Sequence, residues 1–402
     1  MNTDFGLLKV NAFFRNIGFP AENVRVSISD PETETEIAVM NTDSEGQLPL
    51  LRLPCPSAEY SQSSDSPRPF SQYDLEASLE GYGNVSIKNI QIFAESTAIQ
   101  NISLTPQYEN IDIPYPTLWG DFPEKIPEAE IKKLPFPSSL VVLPEPVVPE
   151  FVVVHDGLPS DRSAANYTLE FKEYIKNVAS SEIYANWNRE ALKANILAII
   201  SFTMNRVYTE WYRSKGYDFT ITSSTAYDQA FSFGRNIFQE ISDVVDEVFN
   251  LYISRPGLEQ PLFTQYCDGI RTRRDGWLSQ WGSQELAERG FSAIQILRNY
   301  YGYDITLRQA SKVEGIPLSF RGVLSIGSRG EEVRTVQRQL NRISDNYPAI
   351  PKLSLDGIYG EKTANSVRIF QEIFDLPVSG TVNFTTWYRL SDIYNAVTGI
   401  AG

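Results

Sequence analysis

Between Phe5 and about Leu104 apolar residues recur at every second position: Leu8, Val10, Ala12 and Phe14, then Val24, Val26 and Ile28, later Leu75, Ala77 and Leu79, then Val85 and Ile87. Period two is the mark of strands with one buried face. Asp30-Pro31 and Asp43-Ser44-Glu45-Gly46 supply turns between them. Roughly seven short strands over about a hundred residues predict a β-sandwich. From Asn166 to Gly302 the period becomes helical. Leu192, Ile196, Ile199, Thr203, Val207 and Trp211 recur at steps of three and four, with Ala191, Ala194 and Ala198 between them, so one long buried helix is expected, capped by Asn188 and ended by Lys215-Gly216. Residues 217–222 read as a strand. Ile237, Ile241, Val244, Val248 and Leu251 mark another helix, stopped at Arg255-Pro256-Gly257. Near the C-terminal end Val333, Val336, Leu340 and Ile343 form one helix stripe and Val367, Phe370 and Phe374 a second, which predicts a compact helical bundle.

Between sandwich and helices, Pro106 to Pro159 holds 11 of the 24 prolines. Proline removes backbone donors and stiffens extended chain, so this stretch is expected to lie along a surface. The predicted chain is multidomain α+β: a sandwich over 1–105, a Pro-rich linker over 106–160, a mixed helix and strand domain over 161–318, and a three-helix domain over 319–402.

Composition narrows the function. A net charge of −15 repels phosphate backbones, so nucleic acid is excluded as an expected partner, whereas 21 Tyr and 6 Trp suit the faces of sugars. No run of 18 apolar residues would span a membrane, and Met1 to Gly6 lacks the basic and apolar regions of a secretory signal peptide. Two cysteines, Cys55 and Cys267, fall in different predicted domains, and His155 is the one histidine. No disulfide, metal or cofactor is expected.

The chemistry centres on Glu182, just ahead of the long helix, where residues 186–188 turn the chain. Tyr184 and Trp187 beside it would partly desolvate its carboxyl group, favouring the protonated form from which a general acid donates. The plainer alternative is a carboxylate kept near a helix start by the macrodipole. Two motifs favour the first. Glu190-Ala191-Leu192-Lys193-Ala194-Asn195 follows Glu182, and downstream come Ser279-Gln280-Trp281-Gly282-Ser283, Leu286-Ala287, Gly290 and Ile296-Leu297-Arg298-Asn299-Tyr300-Tyr301. In this order they resemble the SpoIID/LytB family, in whose pattern Glu182 falls at the catalytic position. The segment Ser224 to Phe231 is similar to a further family stretch. The resemblance implies Glu182 as the catalytic residue and Tyr184, Trp187, Lys193, Tyr227, Asp228, Gln229, Ser279, Gln280 and Trp281 as substrate-groove candidates. Two departures stand out: Arg274-Asp275-Gly276 replaces a Gly-His, and Ile200-Ser201-Phe202 replaces an Arg-Thr-Tyr, leaving Lys193 or Arg206 to supply positive charge.

Asp356-Gly357-Ile358-Tyr359-Gly360 and Phe370-Gln371 resemble the small peptidoglycan-binding domain, and Leu79-Glu80-Gly81-Tyr82 resembles a strand end of transthyretin-type sandwiches. The whole layout is similar to that of clostridial spore-cortex-lytic enzymes. That likeness implies a lytic transglycosylase of the spore cortex or cell wall, made as a precursor. Its substrate would be peptidoglycan glycan strands, and a subtilisin-like protease would remove the N-terminal part, with Ser138-Ser139-Leu140 as the candidate site and Leu134 to Pro149 as the candidate groove cover. The rivals are a hydrolytic muramidase with Asp228 as second acid, and a non-catalytic wall-binding protein that enhances an amidase.

Overall fold

The computed structural model describes residues 3–15, 20–132, 146–310, 312–313 and 323–394, apart from 375, 377, 384, 385, 388 and 392. Ser138-Ser139-Leu140 and most of Leu134 to Pro149 lie outside the described residues. The architecture is mixed α and β, with the strands gathered first.

Among the described residues the sandwich region supplies the strands β1 (Thr3–Phe14), β2 (Arg25–Asp30), β3 (Thr35–Asn41), β4 (Leu51–Pro56), β5 (Phe70–Ser78), β6 (Val85–Phe93), β7 (Thr97–Leu104) and β8 (Glu109–Asp112). Alternation puts Leu8, Val10 and Ala12 inside, facing Val26, Ile28, Leu75 and Ile87 of the opposing sheet order β3-β2-β5-β6-β8. Side chains of this size stabilise by about 1.5–3 kcal/mol each when fully buried. The alternation breaks in the second half of β6, where Ile90, Gln91, Ile92 and Phe93 are all buried. Both faces are covered there because the central domain packs on the outer one.

That packing differs from the expectation of separate cores. One apolar core runs from the sandwich through the central domain. Phe93 meets Tyr184 at 5.1 Å and Phe238 at 5.4 Å between ring centroids, and Trp187 Nε1 donates to the Ser61 carbonyl at 2.8 Å.

The predicted linker also carries structure. Beyond β8 it contributes β9 (Val147–Val148) and β10 (Phe151–His155), so the central domain's sheet begins ahead of residue 161. Next come β11 (Asn166–Glu170), α1 (Phe171–Glu182) and α2 (Arg189–Tyr208). Every residue of α2 from Ala194 to Val207 is buried, the polar Asn195, Asn205 and Arg206 included. Asn188 caps it, its Oδ1 accepting from Glu190 N at 3.0 Å. The helix stops before Trp211 because Glu210 adopts φ +50°; Gly216, with φ +92°, ends only a short turn after it. Of the strand expected over 217–222, β12 (Ile221–Thr222) forms, pairing with β10.

Then follow β13 (Ile237–Phe238), α3 (Gln239–Val248), β14 (Leu251–Ser254), β15 (Tyr266–Cys267), β16 (Leu278–Ser279), α4 (Gln280–Glu288), α5 (Ala293–Tyr301), β17 (Thr306–Gln309) and β18 (Lys312–Val313). β13 joins the sandwich's second sheet in the order β13-β7-β1-β4, which closes the exposed edge of β7. The C-terminal domain has its own core, built on α6 (Glu331–Ser344) and α7 (Glu361–Ile373) with Tyr359, Trp387 and Leu390. Gln337 and Gln371 pin its turns: Gln337 Oε1 accepts from Gly357 N and Gln371 Oε1 from Gly380 N. Among the described residues no helix is long and apolar enough to cross a membrane.

Candidate active site

Glu182 is the last residue of α1, and its side chain is only 4% exposed. A carboxylate at that end of a helix faces the negative pole of the dipole. Helix stability therefore gives no reason for it. Three donors hold it instead: Ala230 N at 2.9 Å and Tyr266 OH at 3.0 Å on Oε1, and Gln280 Nε2 at 3.1 Å on Oε2. Gln280 Nε2 also donates to the Glu182 carbonyl at 3.2 Å. Burial first, and then the Glu182 charge, raise the pKa of Tyr266 well above its ordinary value, so Tyr266 stays a donor.

Short pairings assemble this group. β15 runs parallel to β16, with Tyr266 opposite Leu278 and Cys267 opposite Ser279. Tyr266 and the first residue of α4, Gln280, therefore arrive together over the end of α1. Ser279 caps α4, its Oγ accepting from Gly282 N at 2.9 Å.

A cavity of about 220 Å³ opens over the carboxylate, lined by Trp277 and Gln280 from the central domain and by Asp121, Phe122, Glu124 and Lys125 from the segment that follows the sandwich. Cys267 and Trp277 also line a neighbouring groove of about 820 Å³, whose walls include Ser279, Trp281, Tyr300 and Gln62 of the sandwich. The ammonium of Lys125 is buried without a hydrogen-bond partner. It sits 4.1 Å from the ring centroid of Tyr266 and 4.8 Å from that of Phe202. Burial lowers its pKa, against the opposing pull of Glu182 and Asp228.

The groove candidates separate into groups. Gln280 touches Glu182, and Ser279 and Trp281 line the larger groove. Tyr184 and Trp187 lie away from the carboxylate, packed with Trp281 and Phe93 in the shared core. Lys193 lies on α2 and pairs with Glu247. Gln229 is buried against Tyr174 and Thr203, and the Tyr227 carbonyl accepts from Arg206. Asp228 is fully buried and accepts from Arg206 Nε, Tyr212 OH, Thr222 N and Thr222 Oγ1 at 2.6–2.9 Å. With both oxygens so engaged it has no capacity left to activate water. Arg206 in turn forms an ion pair with Glu128. Tyr266 and Lys125 carry no sequence motif, and Ala230, within Ser224 to Phe231, contributes its backbone amide rather than a side chain. The one trace of the first was Tyr266-Cys267-Asp268-Gly269, a short apolar pair ahead of a turn. Among the described residues no group of three His, Cys, Asp or Glu is placed to hold a metal ion.

Comparison with known proteins bears on these domains. Residues 161–249, which include Glu182, match the Stage II sporulation protein (SpoIID) family model, and residues 329–390 match the model for a peptidoglycan binding domain. No curated protein sequence matches the chain. Among solved structures, the SleB N-terminal domain is 31% identical over 19% of this chain and 96% of its own, with a TM-score of 0.17. A fused Zn-dependent amidase/peptidase/peptidoglycan-binding protein from Clostridium acetobutylicum ATCC 824 is 28% identical over 18% of this chain and 29% of its own, with a TM-score of 0.16. Klebsiella pneumoniae 5-hydroxyisourate hydrolase is 19% identical over 24% of this chain and 84% of its own, with a TM-score of 0.17. The chain is a cell-wall protein that acts on peptidoglycan, with a SpoIID domain in its middle and a peptidoglycan-binding domain at its C-terminal end.

Proposed function

We propose that the chain is a lytic transglycosylase that cuts the bond between N-acetylmuramic acid and N-acetylglucosamine in spore-cortex peptidoglycan. The observation that carries this is the Glu182 carboxylate, buried at the wrong end of a helix for stability, held by three donors and opening on a cavity. Glu182 gives a proton to the glycosidic oxygen as the bond to C1 of N-acetylmuramic acid breaks. The same sugar's C6 oxygen then bonds to C1, and its proton returns to Glu182. Neither water nor a protein nucleophile is consumed, so one carboxyl group suffices where ordinary glycosidases need two. The nearby acids support this reading: Asp121 is fully exposed at the cavity's rim, 3.9 Å from Arg271, and the others are engaged or outside the site. Asp228 lies in its own buried network, Asp268 accepts from Arg271 and from three backbone N–H groups, and Glu124 pairs with Arg274.

Mass spectrometry of fragments released from cortex by the purified protein tests the reaction. Anhydro-muramic ends are expected; reducing ends would indicate hydrolysis, and no release would favour a wall-binding enhancer. Glu182→Gln is expected to lower cleavage by about 10²–10⁴-fold with folding and binding retained.

We also propose that the N-terminal part is an inhibitory pro-region. Because the sandwich covers Tyr184 and Phe238, the test is a full chain cut once between 133 and 145, not a separately made 150–402 fragment. Activity that does not rise on cutting removes the proposal.

A further inference from the structure

We propose that residues 117–125 form a lid over Glu182, with the Lys125 ammonium as its plug. The proposal rests on Glu182 being the group that works on glycan. Three observations lead to it.

The first is where the segment lies. Asp121, Phe122, Glu124 and Lys125 build one side of the cavity whose floor is Glu182, while the adjoining 820 Å³ groove, walled by Trp281 and Tyr300, is not covered by them. A glycan chain that rests in the open groove meets this wall beside the carboxylate.

Charge is the second. Lys125 lines the cavity, and among the described residues its buried ammonium has no hydrogen-bond partner; it lies against Tyr266, the ring whose hydroxyl holds Glu182. Cleavage of a glycosidic bond passes through an oxocarbenium-like state with positive charge at C1. A second positive charge in the same low-dielectric cavity opposes that state. The rings of Tyr266 and Phe202 give the ammonium a resting place, so the closed form is held without a carboxylate partner.

The third is how the segment is fastened. Its flanks are anchored firmly: Thr117 N donates to the Ser181 carbonyl at 2.9 Å, Ile126 N to the Ala226 carbonyl at 2.7 Å, and Glu128 pairs with the buried Arg206. Between these anchors Leu118 and the Lys125 ammonium are buried, and the polar contacts of residues 119–124 are at the surface. Arg271 NH1 donates to the Gly120 carbonyl at 2.6 Å, and Arg274 NH2 to Glu124 Oε2 at 3.0 Å, with both arginines more than a third exposed. The middle can lift while the two ends stay in place. This arrangement also separates opening from departure: a cut beyond residue 132 leaves Glu128 and Lys132 held.

Two variants of the uncut full-length chain test the lid, each read in two ways. Arg274→Ala removes one surface pair and leaves the core alone; Lys125→Met removes the plug and keeps its bulk. The first readout is cleavage of soluble glycan fragments. The second is the rate at which Cys267, which lines both cavities, reacts with an aromatic disulfide reagent, in a Cys55→Ala background. Opening should raise both rates together, by about two- to fivefold for Arg274→Ala and by about fivefold or more for Lys125→Met. The Lys125 charge lowers the pKa of Cys267, so its loss alone would slow the thiol. A faster thiol in Lys125→Met therefore reports access. Glu182→Gln placed on either variant should abolish the gain in cleavage and keep the gain in thiol rate. If the Cys267 rate stays the same or falls in both variants, there is no lid. If the thiol reacts faster but cleavage falls, the segment is a working wall of the site and the inhibitory role is overturned. Chains that cleave nothing while Cys267 reacts faster would sink the Glu182 reading and leave the movable lid standing.

Discussion

Arg206 shows why a single buried side chain can matter more than its distance from the chemistry suggests. It is 1% exposed on α2, donates through Nε to Asp228 and through its terminal nitrogens to Glu128, and so ties the segment after the sandwich to the loop that carries Ala230. Removing one member of such a network leaves a buried charge unpaired, which costs about 3–5 kcal/mol. Arg206→Met should lower stability by about that amount in denaturant melts, and an unchanged midpoint would remove the network from this role. Glu128 adds a pH signature. Burial works to raise its pKa, yet hydrogen bonds and charge from Arg206 and Lys132 bring it below the ordinary value of 4.5. A depressed folded-state pKa means stability that is present above the unfolded value and lost as pH falls through the folded one. The gap in melting temperature between wild type and Glu128→Gln should therefore be full at neutral pH and close below about pH 4. At this scale the sequence reached Glu182 and Gln280 through their motifs. Lys125 and Tyr266 stayed hidden, because they reach the Glu182 cavity only through the packing of distant segments, which no local period reports.

The elements that build the site are short, and their geometry depends on close approach. Gly269, with φ +82°, sits under α4, where an added Cβ would lie 1.7 Å from Ser279 Oγ. Ser279 caps α4, and Gln280 beside it holds Glu182. Gly269→Ala must push the start of α4 away, and a displacement of about 1 Å at reacting groups can lower rate by about 10²-fold. Loss of cleavage with a largely native circular dichroism spectrum is expected; full activity would mean that α4 is free to adjust. The same closeness explains which elements were legible. Strands β1 to β7 and helix α2 follow their periods because burial on one side, or on all sides, is written into consecutive residues. The pairing of β15 with β16 joins two-residue strands eleven positions apart, too short to carry a period. In β6 and β7, Gln91 and Gln100 are polar, yet both are fully buried. Gln91 Oε1 accepts from Arg235, a buried guanidinium with no carboxylate partner among the described residues, which also donates to Ser181 beside Glu182. A glutamine on an exposed strand face and one at a domain junction look the same until the partner is in place.

Taken whole, the molecule joins a unit with one continuous core to a second module with its own. The sandwich and the central domain share one core, whereas the C-terminal domain closes its own around Val336, Leu340, Phe370 and Trp387. Its described links to the rest are polar or lie at the surface, as with Arg338, which pairs with Glu150 at 3.2 Å and covers the ring of Phe151. On the proposed function, a module attached in this way holds the rest of the chain near an insoluble polymer. Binding through it would make the encounter of Glu182 with glycan effectively intramolecular, a gain of about 10²–10⁴ in apparent affinity that involves no new contact at the reacting bond. Truncation before Gly322 should therefore weaken binding to insoluble cortex or wall by a large factor, measured by sedimentation, and leave the cleavage of short soluble glycans nearly unchanged. The two substrates must be compared in the same preparation, because a truncated chain that had merely unfolded would fail on both. Equal loss on soluble and insoluble substrate, with the melting temperature of the remaining core intact, would show instead that the C-terminal domain completes the catalytic groove.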